Sequence, residues 1–595
     1  MRIKYIDVLK AFAIIAVVLY HTGLMTYGYL GVDLFLVVAG YLTTRSLYGK
    51  MLTPNKLGWG GGGDFSFEIS RVIRLLPPLL FAGVLCMLLG YFVMLPDDYE
   101  NLSQSVIATN GFGNNILAAI TTKNYWDISN DYKPLMHTWY VGVVMQFYLV
   151  YPILFFFARR NKNNPKSTLL TIISTLAVIS LLTYFATIDA AQRFYYLPSR
   201  FFEFAVGGIA ALIYNPEKDK PFGKEYVYLC YVLLLALMFI NVEIMPAIIR
   251  LVAVVGLSCV VLCSQDVLEN KVTGNKILAK IGAASYSIFI WHQILLAFYR
   301  YTITSKFTIG SYAILLVGTV LMSWLSYKFI EQGATQALKS KSGKTILNTI
   351  TVLIFLALNG FAGFIYMRAG VVRDVPELYI NKNVIHRGMH AEYVDRGYQY
   401  DKPFSTDKKH WYVIGNSFGR DFVNVILESP VADSVEISYS PVYDFKDKNE
   451  RFKAADIVFI STQGLKEELV TEVEILSLAN GLTPDNVIVV GEKNFGSSNG
   501  QIYMLRNKDN YFDQYIDVYC PEQYIIQNKK FSSKYGARFL DLMNMVTNKD
   551  GKVKVFTPDK HYISVDCNHF SRGGAIYFGQ LIDWSRFLGK EHSDE

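Results

Sequence analysis

Cysteine is scarce in this chain, with six residues among 595. Cys86, Cys230, Cys259 and Cys263 fall inside apolar runs, where a thiol serves as a small packing group. Only Cys520 and Cys567 lie in the polar remainder, and they form the one pair available for a disulfide if that part is exported. Charge is scarce as well, at 18% of residues against 52% hydrophobic, which excludes an ordinary soluble protein. The length excludes a single domain. A net charge of +7 gives no ground for a nucleic-acid partner. The basic residues cluster in short loops between apolar runs, where membrane topology accounts for them. No cleavable signal peptide is read, since the first apolar run passes straight into a multi-pass pattern. Phosphate-loop chemistry is missing too: the run GWGGGG at 58–63 lacks the following Lys-Ser or Lys-Thr pair and reads as a flexible loop. His386 and His390 have no evident third ligand, so no metal site is assigned.

What the chain does have is long apolar runs, up to about residue 367. Taking about 17–25 apolar residues as the span of a bilayer, eleven candidate helices are expected, near 7–23, 31–48, 73–95, 135–158, 168–187, 200–214, 226–242, 245–263, 281–300, 308–330 and 345–367. With the N-terminus inside, Arg45, Lys50, Lys56, Arg71 and Arg74 fall on the inner side. So do Arg159, Arg160, Lys162 and Lys166, then Lys218, Lys220 and Lys224, then Lys271, Lys276 and Lys280, and last Lys339, Lys341 and Lys344. The outer loops are poorer in Lys and Arg, and the longest carries Asp97, Asp98, Glu100, Asp127 and Asp131. This follows the positive-inside rule. An odd number of passes then puts the C-terminal part outside the cell.

The segment 6–40, IDVLKAFAIIAVVLYHTGLMTYGYLGVDLFLVVAG, is the most informative of the membrane part. Asp7, Lys10 and His21 sit in its first apolar run, and Asp33 opens the next. Ionisable groups in lipid are costly and are functional-site hypotheses by default. Lys10 and His21, about three turns apart, share a helix face at a separation of roughly 16 Å. The alternative is a snorkelling Lys10 and a hydrogen-bonded packing His21. Arg71 and Arg74 suit bidentate grip on phosphate, or serve as plain inner-side anchors. His137 and His292 read as packing histidines.

Residues 368–410 are polar and irregular and read as a linker. From Trp411 onward, strand-like runs (HWYVI, VEISY, DIVFIST, NVIVVGE, ARFLDL) alternate with helical segments, the pattern of an α/β domain with a largely parallel sheet. In such sheets ligands bind beyond the carboxyl ends of the strands, where Gly415-Asn416-Ser417 falls. A serine between a buried strand and a helix N-terminus is exposed, with free N–H groups nearby. Near the end of the chain, Asp566-Cys567-Asn568-His569 supplies a base and its orienting carboxylate. Together these are the parts of a serine-nucleophile triad, Ser417, His569 and Asp566; the alternative is a plain turn, where a GNS tripeptide is common.

Two resemblances run through these motifs. Lys10 and His21 resemble the Arg-x10-His pattern of the first helix of the acyltransferase-3 membrane proteins, with lysine in the arginine's place. GYLGVDLFLVVAGYLTT, RVIRLLP, HTWYVGVVMQFYLVYP, SYSIFIWH and YKFIEQ resemble further blocks of that family across most of 1–335. Where many relatives carry two glutamates in the fourth-helix block, this chain has Val144 and Met145, and Glu203 is a candidate substitute. GNSF and DCNHFSRGGA resemble the first and last blocks of SGNH-type esterases and transferases, with Asn416 standing for the usual aspartate. STQG at 461–464 falls where a middle block is expected, with Gln463 at the asparagine donor's position.

The resemblances imply a multi-pass α-helical membrane domain of ten helices at 1–335, an additional eleventh at 345–367, a linker at 368–410 and an extracytoplasmic SGNH-like α/β domain at 411–595. They imply an O-acyltransferase of the cell membrane. Such an enzyme moves an acyl group, most simply acetyl, from cytoplasmic acyl-coenzyme A to hydroxyls of an extracytoplasmic glycan, with no tightly bound cofactor or metal. His21, Ser417, Asp566 and His569 carry over as catalytic residues, and Lys10, Asp33, Arg71 and Arg74 as substrate-binding residues. The competing classes are an acyl-glycan esterase and a transporter-like membrane protein with a glycan-binding domain.

Overall fold

The computed structural model describes residues 4–51, 66–122, 128–214, 223–240, 245, 247–264, 275–383, 393–496, 499–518 and 522–588. Cys520, His386, His390 and the 58–63 run lie outside them. The chain divides into two compact units, Met1–Phe92 with Asn101–Tyr366, and Val93–Glu100 with Met367–Glu595.

The first unit is helical. Seven of its helices carry the argument below: α1 (Lys4–His21), α2 (Gly31–Met51), α3 (Ser66–Val93), α4 (Trp139–Arg159), α5 (Leu197–Ile213), α6 (Ser285–Thr302) and α7 (Lys341–Met367). Every expected apolar run is helical over most of its length. By length and composition, however, seven helices among the described residues can cross a membrane, or eight if Lys276–Ala283 and α6, which meet at a 69° bend, count as one span. Glu225–Phe239 and Ala247–Leu262 are apolar but short. α1 carries Lys4, Asp7 and Lys10 in its first half, which dilutes an apolar stretch of only 18 residues.

Small residues set the closest helix approaches. A Cβ on Gly40 of α2 would lie 2.0 Å from the carbonyl oxygen of Phe204, and one on Gly207 of α5 would lie 2.0 Å from that of Val37. The two backbones therefore touch, as small residues allow in membrane helix pairs. A Cβ on Gly282 would lie 1.6 Å from the carbonyl oxygen of Asp7, so the helix preceding α6 is seated directly against α1.

The second unit is built on a five-stranded parallel sheet. Its strands are β1 (Lys409–Gly415), β2 (Val435–Pro441), β3 (Ile457–Ser461), β4 (Val487–Val490) and β6 (Phe539–Leu540), in the order β2-β1-β3-β4-β6. The short strands β5 (Tyr515–Asp517) and β7 (Lys552–Lys554) pair separately and antiparallel. Four helices flank the sheet: α8 (Ser417–Leu427), α9 (Glu467–Ala479), α10 (Gln527–Tyr535) and α11 (Arg572–Leu581).

Side-chain alternation along the strands sorts the core into two layers. Trp411, Val413, Phe459 and Ile488 pack with Phe422 and Val425 of α8 and Phe578 of α11. Tyr412, Ile414, Val458 and Val489 pack with Val470 and Val473 of α9 and Phe531 of α10. Both faces are thus covered, which is why the strands read as near-continuous apolar runs. The strand order reverses between β1 and β3, and the crevice at such a switch point lies at their carboxyl ends.

Candidate functional site

In the helical unit, α1 ends on His21 and α6 carries His292, and the two rings meet: His21 Nδ1 lies 3.1 Å from His292 Nε2. The other nitrogen of His292 lies 3.0 Å from the carbonyl oxygen of Ile288. A carbonyl only accepts, so His292 Nδ1 carries a proton and, in the neutral ring, His292 Nε2 accepts. His21 Nδ1 must then donate, and the neutral His21 ring holds its lone pair on Nε2. His137 stands edge-on to His292 with ring centroids 5.6 Å apart and packs 4.9 Å from Phe289. Arg300 donates 2.7 Å to the carbonyl oxygen of His21 and sits 3.8 Å from Asp131. It thereby caps the helix end that bears the histidine. Burial raises the Asp131 carboxyl, and the Arg300 guanidinium opposes that shift.

A cavity of about 140 Å³ lies beside this cluster, lined among others by Lys10, Arg71, Arg74, Tyr140, Tyr148 and Phe289. Three cations and several aromatic rings in one lining suit an anionic group joined to a planar ring. Arg71 lies over the Tyr148 ring at 5.1 Å, and the Tyr286 hydroxyl donates 2.8 Å to the carbonyl oxygen of Leu75, beside Arg74. Lys10 Nζ is 3.3 Å from Asp7. Phe289 belongs to both places: it lines the cavity, and its ring is 5.9 Å from that of His292. The cavity and the histidine pair are therefore neighbours across one side chain.

Asp33 is not among the cavity's lining residues. Its carboxylate is 2.5 Å from Arg200, which lies 3.2 Å from Glu203, and all three residues are buried. This ion cluster ties α2 to α5 at the end of the Gly40–Gly207 crossing. Val144 lines the cavity as an apolar residue.

In the α/β unit, Ser417 opens α8 directly after β1, and Asn416 caps that helix, its Oδ1 accepting from Phe418 N at 3.0 Å. Asn416 also bridges the crevice. Its Oδ1 accepts from Gln463 N at 3.1 Å, and its Nδ2 donates to Gln463 O at 3.2 Å. The ends of β1 and β3 are thus joined through Asn416. His569 Nδ1 is 2.6 Å from Asp566 Oδ2, and the backbone N–H groups of Asn568 and His569 donate to Asp566 Oδ1 at 3.0 and 2.8 Å. Desolvation pushes the Asp566 carboxyl up, but the His569 imidazole and these N–H groups more than offset it, and the net shift is downward. His569 Nε2 is buried without a hydrogen-bond partner among the described residues. The Phe418 ring stands edge-on to the His569 ring at 6.0 Å. The structure therefore brings the Asp566–His569 pair and Phe418, the residue after Ser417, together, with no direct Ser417–His569 hydrogen bond among the described residues.

Two buried charges directly after β4 were not singled out in the sequence. The Glu492 carboxylate accepts from Leu465 N at 2.7 Å, and Lys493 is ion-paired with Asp421 and donates 2.9 Å to the carbonyl oxygen of Asn568. Their signal was a pair of charges, GEK, at the end of an otherwise apolar strand. His292 was visible as a histidine closing SYSIFIWH, but only the fold brings it to His21. Cys567 adopts φ 72° and is a free, buried thiol.

A helical unit with a basic, aromatic-lined cavity next to a histidine pair, followed by a parallel α/β unit with an Asp–His dyad at its switch point, defines the class. The acyltransferase-3 family model, described as an acyltransferase domain, matches residues 3–328, and the chain belongs to that family. Among relatives, it is 27% identical over 358 residues to the O-acetyltransferase OatA of Staphylococcus aureus strain NCTC 8325, covering 55% of this chain and 56% of that protein. It is 28% identical over 362 residues to a second S. aureus protein, SACOL0978 of strain COL, covering 56% and 57%. The chain thus spans about half the length of the curated relatives it matches. No solved structure matches the chain.

Proposed function

We propose that this protein is a membrane O-acyltransferase that carries an acetyl group from cytoplasmic acetyl-coenzyme A to a hydroxyl of an extracytoplasmic glycan. The observation that carries the reading is the hydrogen-bonded His21–His292 pair set one ring away from a cavity lined by Lys10, Arg71 and Arg74. The three cations fit the phosphates of coenzyme A, and Tyr140 and Tyr148 fit its apolar and planar parts. His21, with its lone pair on Nε2, takes the proton of a carrier hydroxyl that attacks the thioester carbonyl; the acetyl passes to that oxygen as the carbon–sulfur bond breaks, and His21 returns the proton to the departing coenzyme A thiolate. The name of the relative OatA, an O-acetyltransferase, supports acetyl as the group moved.

In the α/β unit the reading assigns a second transfer. Ser417 Oγ attacks the incoming acyl carbonyl as His569 Nε2 takes its proton, and the carrier leaves with a proton. The glycan hydroxyl then attacks acyl-Ser417, giving up its own proton through His569, and Ser417 is released. Asp566 holds the imidazole with Nδ1–H toward it. Ser417 N and the Gln463 side-chain amide, at the ends of β1 and β3, are the donors this reading assigns to the oxyanion, since Gln463 N is already bonded to Asn416 Oδ1. Acyl-Ser417 attacked by water instead would make the unit an esterase.

The deciding measurement is the O-acetyl content of surface glycans in cells with the protein, without it, and with His21→Ala. Loss in both the deletion and the variant supports the reading. Unchanged content in the deletion removes it.

A further inference from the structure

The dipeptide Glu492-Lys493 leaves β4 with both residues only 1% exposed, which is unusual for two charged side chains. Being successive, they point to opposite sides. Glu492 turns toward the loop after β3, where its Oε1 accepts from Leu465 N at 2.7 Å, one residue beyond Gly464 and two beyond Gln463. The Gln527 side chain closes the same loop by donating to Leu465 O at 2.6 Å. The Asn528 side-chain amide fixes the backbone of Glu492 itself, its Oδ1 accepting from Glu492 N at 3.0 Å and its Nδ2 donating to Glu492 O at 2.8 Å.

Lys493 turns the other way. Its ammonium is ion-paired with Asp421 of α8, donates to Asn568 O at 2.9 Å, and lies over the rings of Phe418 at 4.2 Å and Phe570 at 4.4 Å. The Asp421 oxygen that meets Lys493 also accepts from Phe570 N at 2.9 Å. One ammonium therefore touches the residue after Ser417 and the residues on both sides of His569.

We propose that Glu492 and Lys493 are positioning residues for the candidate acyl-serine site. Lys493 fixes the distance between Ser417 and His569, and Glu492 fixes the loop that faces the developing oxyanion. This rests on the reading of Ser417 as nucleophile. Neither side chain reaches solvent, so neither binds substrate, and both act through the backbone they hold. A buried charge that loses its partner is strongly destabilising. The pair therefore also resists relaxation of the two loops. Burial lowers the Lys493 ammonium and raises the Glu492 carboxyl, and in each case the hydrogen-bonded partners oppose the shift.

The test uses the purified full-length protein and a fluorophosphonate probe, which reacts at an activated serine by forming a phosphorus–oxygen bond and releasing fluoride. The labelling rate and the final stoichiometry are read separately. Lys493→Met is expected to label about ten- to a hundredfold more slowly, the scale of a misplacement near 1 Å, while reaching the wild-type stoichiometry. The double variant Lys493→Met/Asp421→Asn removes the stranded carboxylate, so it should melt closer to wild type yet label as slowly as the single variant. Glu492→Met should also label slowly, and Glu492→Gln, which keeps an acceptor for Leu465 N–H, should restore most of that loss. Labelling of Lys493→Met at the wild-type rate overturns the proposal. So does a reduced stoichiometry with an unchanged rate per reactive site, the mark of a merely structural role. Labelling that survives in Ser417→Ala overturns the nucleophile reading itself, a failure visible apart from the others.

Discussion

A backbone carbonyl cannot donate, and through His292 that restriction reaches His21. Ile288 O holds a proton on His292 Nδ1, His292 Nε2 becomes an acceptor, and His21 is left with its basic nitrogen at Nε2. His292→Phe keeps a ring of similar size in the helix and removes the acceptor that His21 Nδ1 faces, so the Val17 backbone is left to hold the His21 ring with one fewer partner and the wrong tautomer becomes easier to reach. Acetyl transfer from labelled acetyl-coenzyme A into membrane vesicles should fall by about two orders of magnitude, the usual worth of a positioned general base. The KM for acetyl-coenzyme A should hold, because neither histidine is among the residues lining the cavity. A variant with full transfer would return His292 to a packing role. His21 was legible because an ionisable group in an apolar run stands out. His292 was not, since 271 residues separate the two and a histidine on an apolar helix has an ordinary packing explanation. Asp33 stood out for the same reason as His21, yet the fold commits it to Arg200. Local sequence marks a buried charge and leaves its partner unnamed.

At the scale of elements, the crossing of α2 and α5 depends on two glycines whose added Cβ atoms would each meet a carbonyl oxygen at 2.0 Å. Gly40→Ala and Gly207→Ala should each lower the melting temperature of the detergent-purified protein, by a destabilisation of about 1–3 kcal/mol as in other overpacked contacts. Wild-type melting in both would mean that the helices do not touch there.

A second element, the stretch leading into β1, is tied to β2 through Glu436. Its carboxylate accepts from the backbone N–H groups of Ser405 and Thr406 and from both hydroxyls, at 2.8 to 3.0 Å. Desolvation pushes Glu436 up, but these donors outweigh it and hold the group at about 2. A depressed carboxylate stabilises the fold above its unfolded value, near 4.3, and loses that contribution as the pH falls through about 2. Glu436→Gln should therefore increase proteolytic nicking near residues 402–408 at pH 7, and the difference from wild type should shrink at pH 3. Equal nicking at pH 7 would leave the carboxylate without a role. Apolar runs made the helices and the parallel sheet readable, because long runs mark the helices and short continuous runs between helical segments mark strands buried on both faces. The 69° bend before α6, and the number of helices long enough to span, depend on packing and hydropathy over whole helices, and runs of letters did not disclose them.

At the scale of the molecule, the chain is two units with two sets of titratable groups suited to acyl chemistry, and the reading assigns them successive steps. Part of the partition escaped the sequence: Val93–Glu100, the end of the third expected apolar run and the acidic residues that follow it, belongs with the C-terminal unit. A loop of acidic residues gives no hint of which unit it joins. The two-step scheme has a consequence that a one-step scheme lacks. If His21 serves the first transfer and Ser417 the second, the steps can be stopped separately. Ser417→Ala leaves the helical unit intact, so release of coenzyme A from acetyl-coenzyme A should persist in vesicles, while acetylation of the glycan stops. His21→Ala should stop both. Asp566→Asn should fall between, because the imidazole stays in place but loses the carboxylate that fixes its tautomer; the loss should be large without being complete. Acetylated glycan formed at the wild-type rate by Ser417→Ala would assign the transfer wholly to the helical unit. The α/β unit would then hold the acceptor and not acylate it.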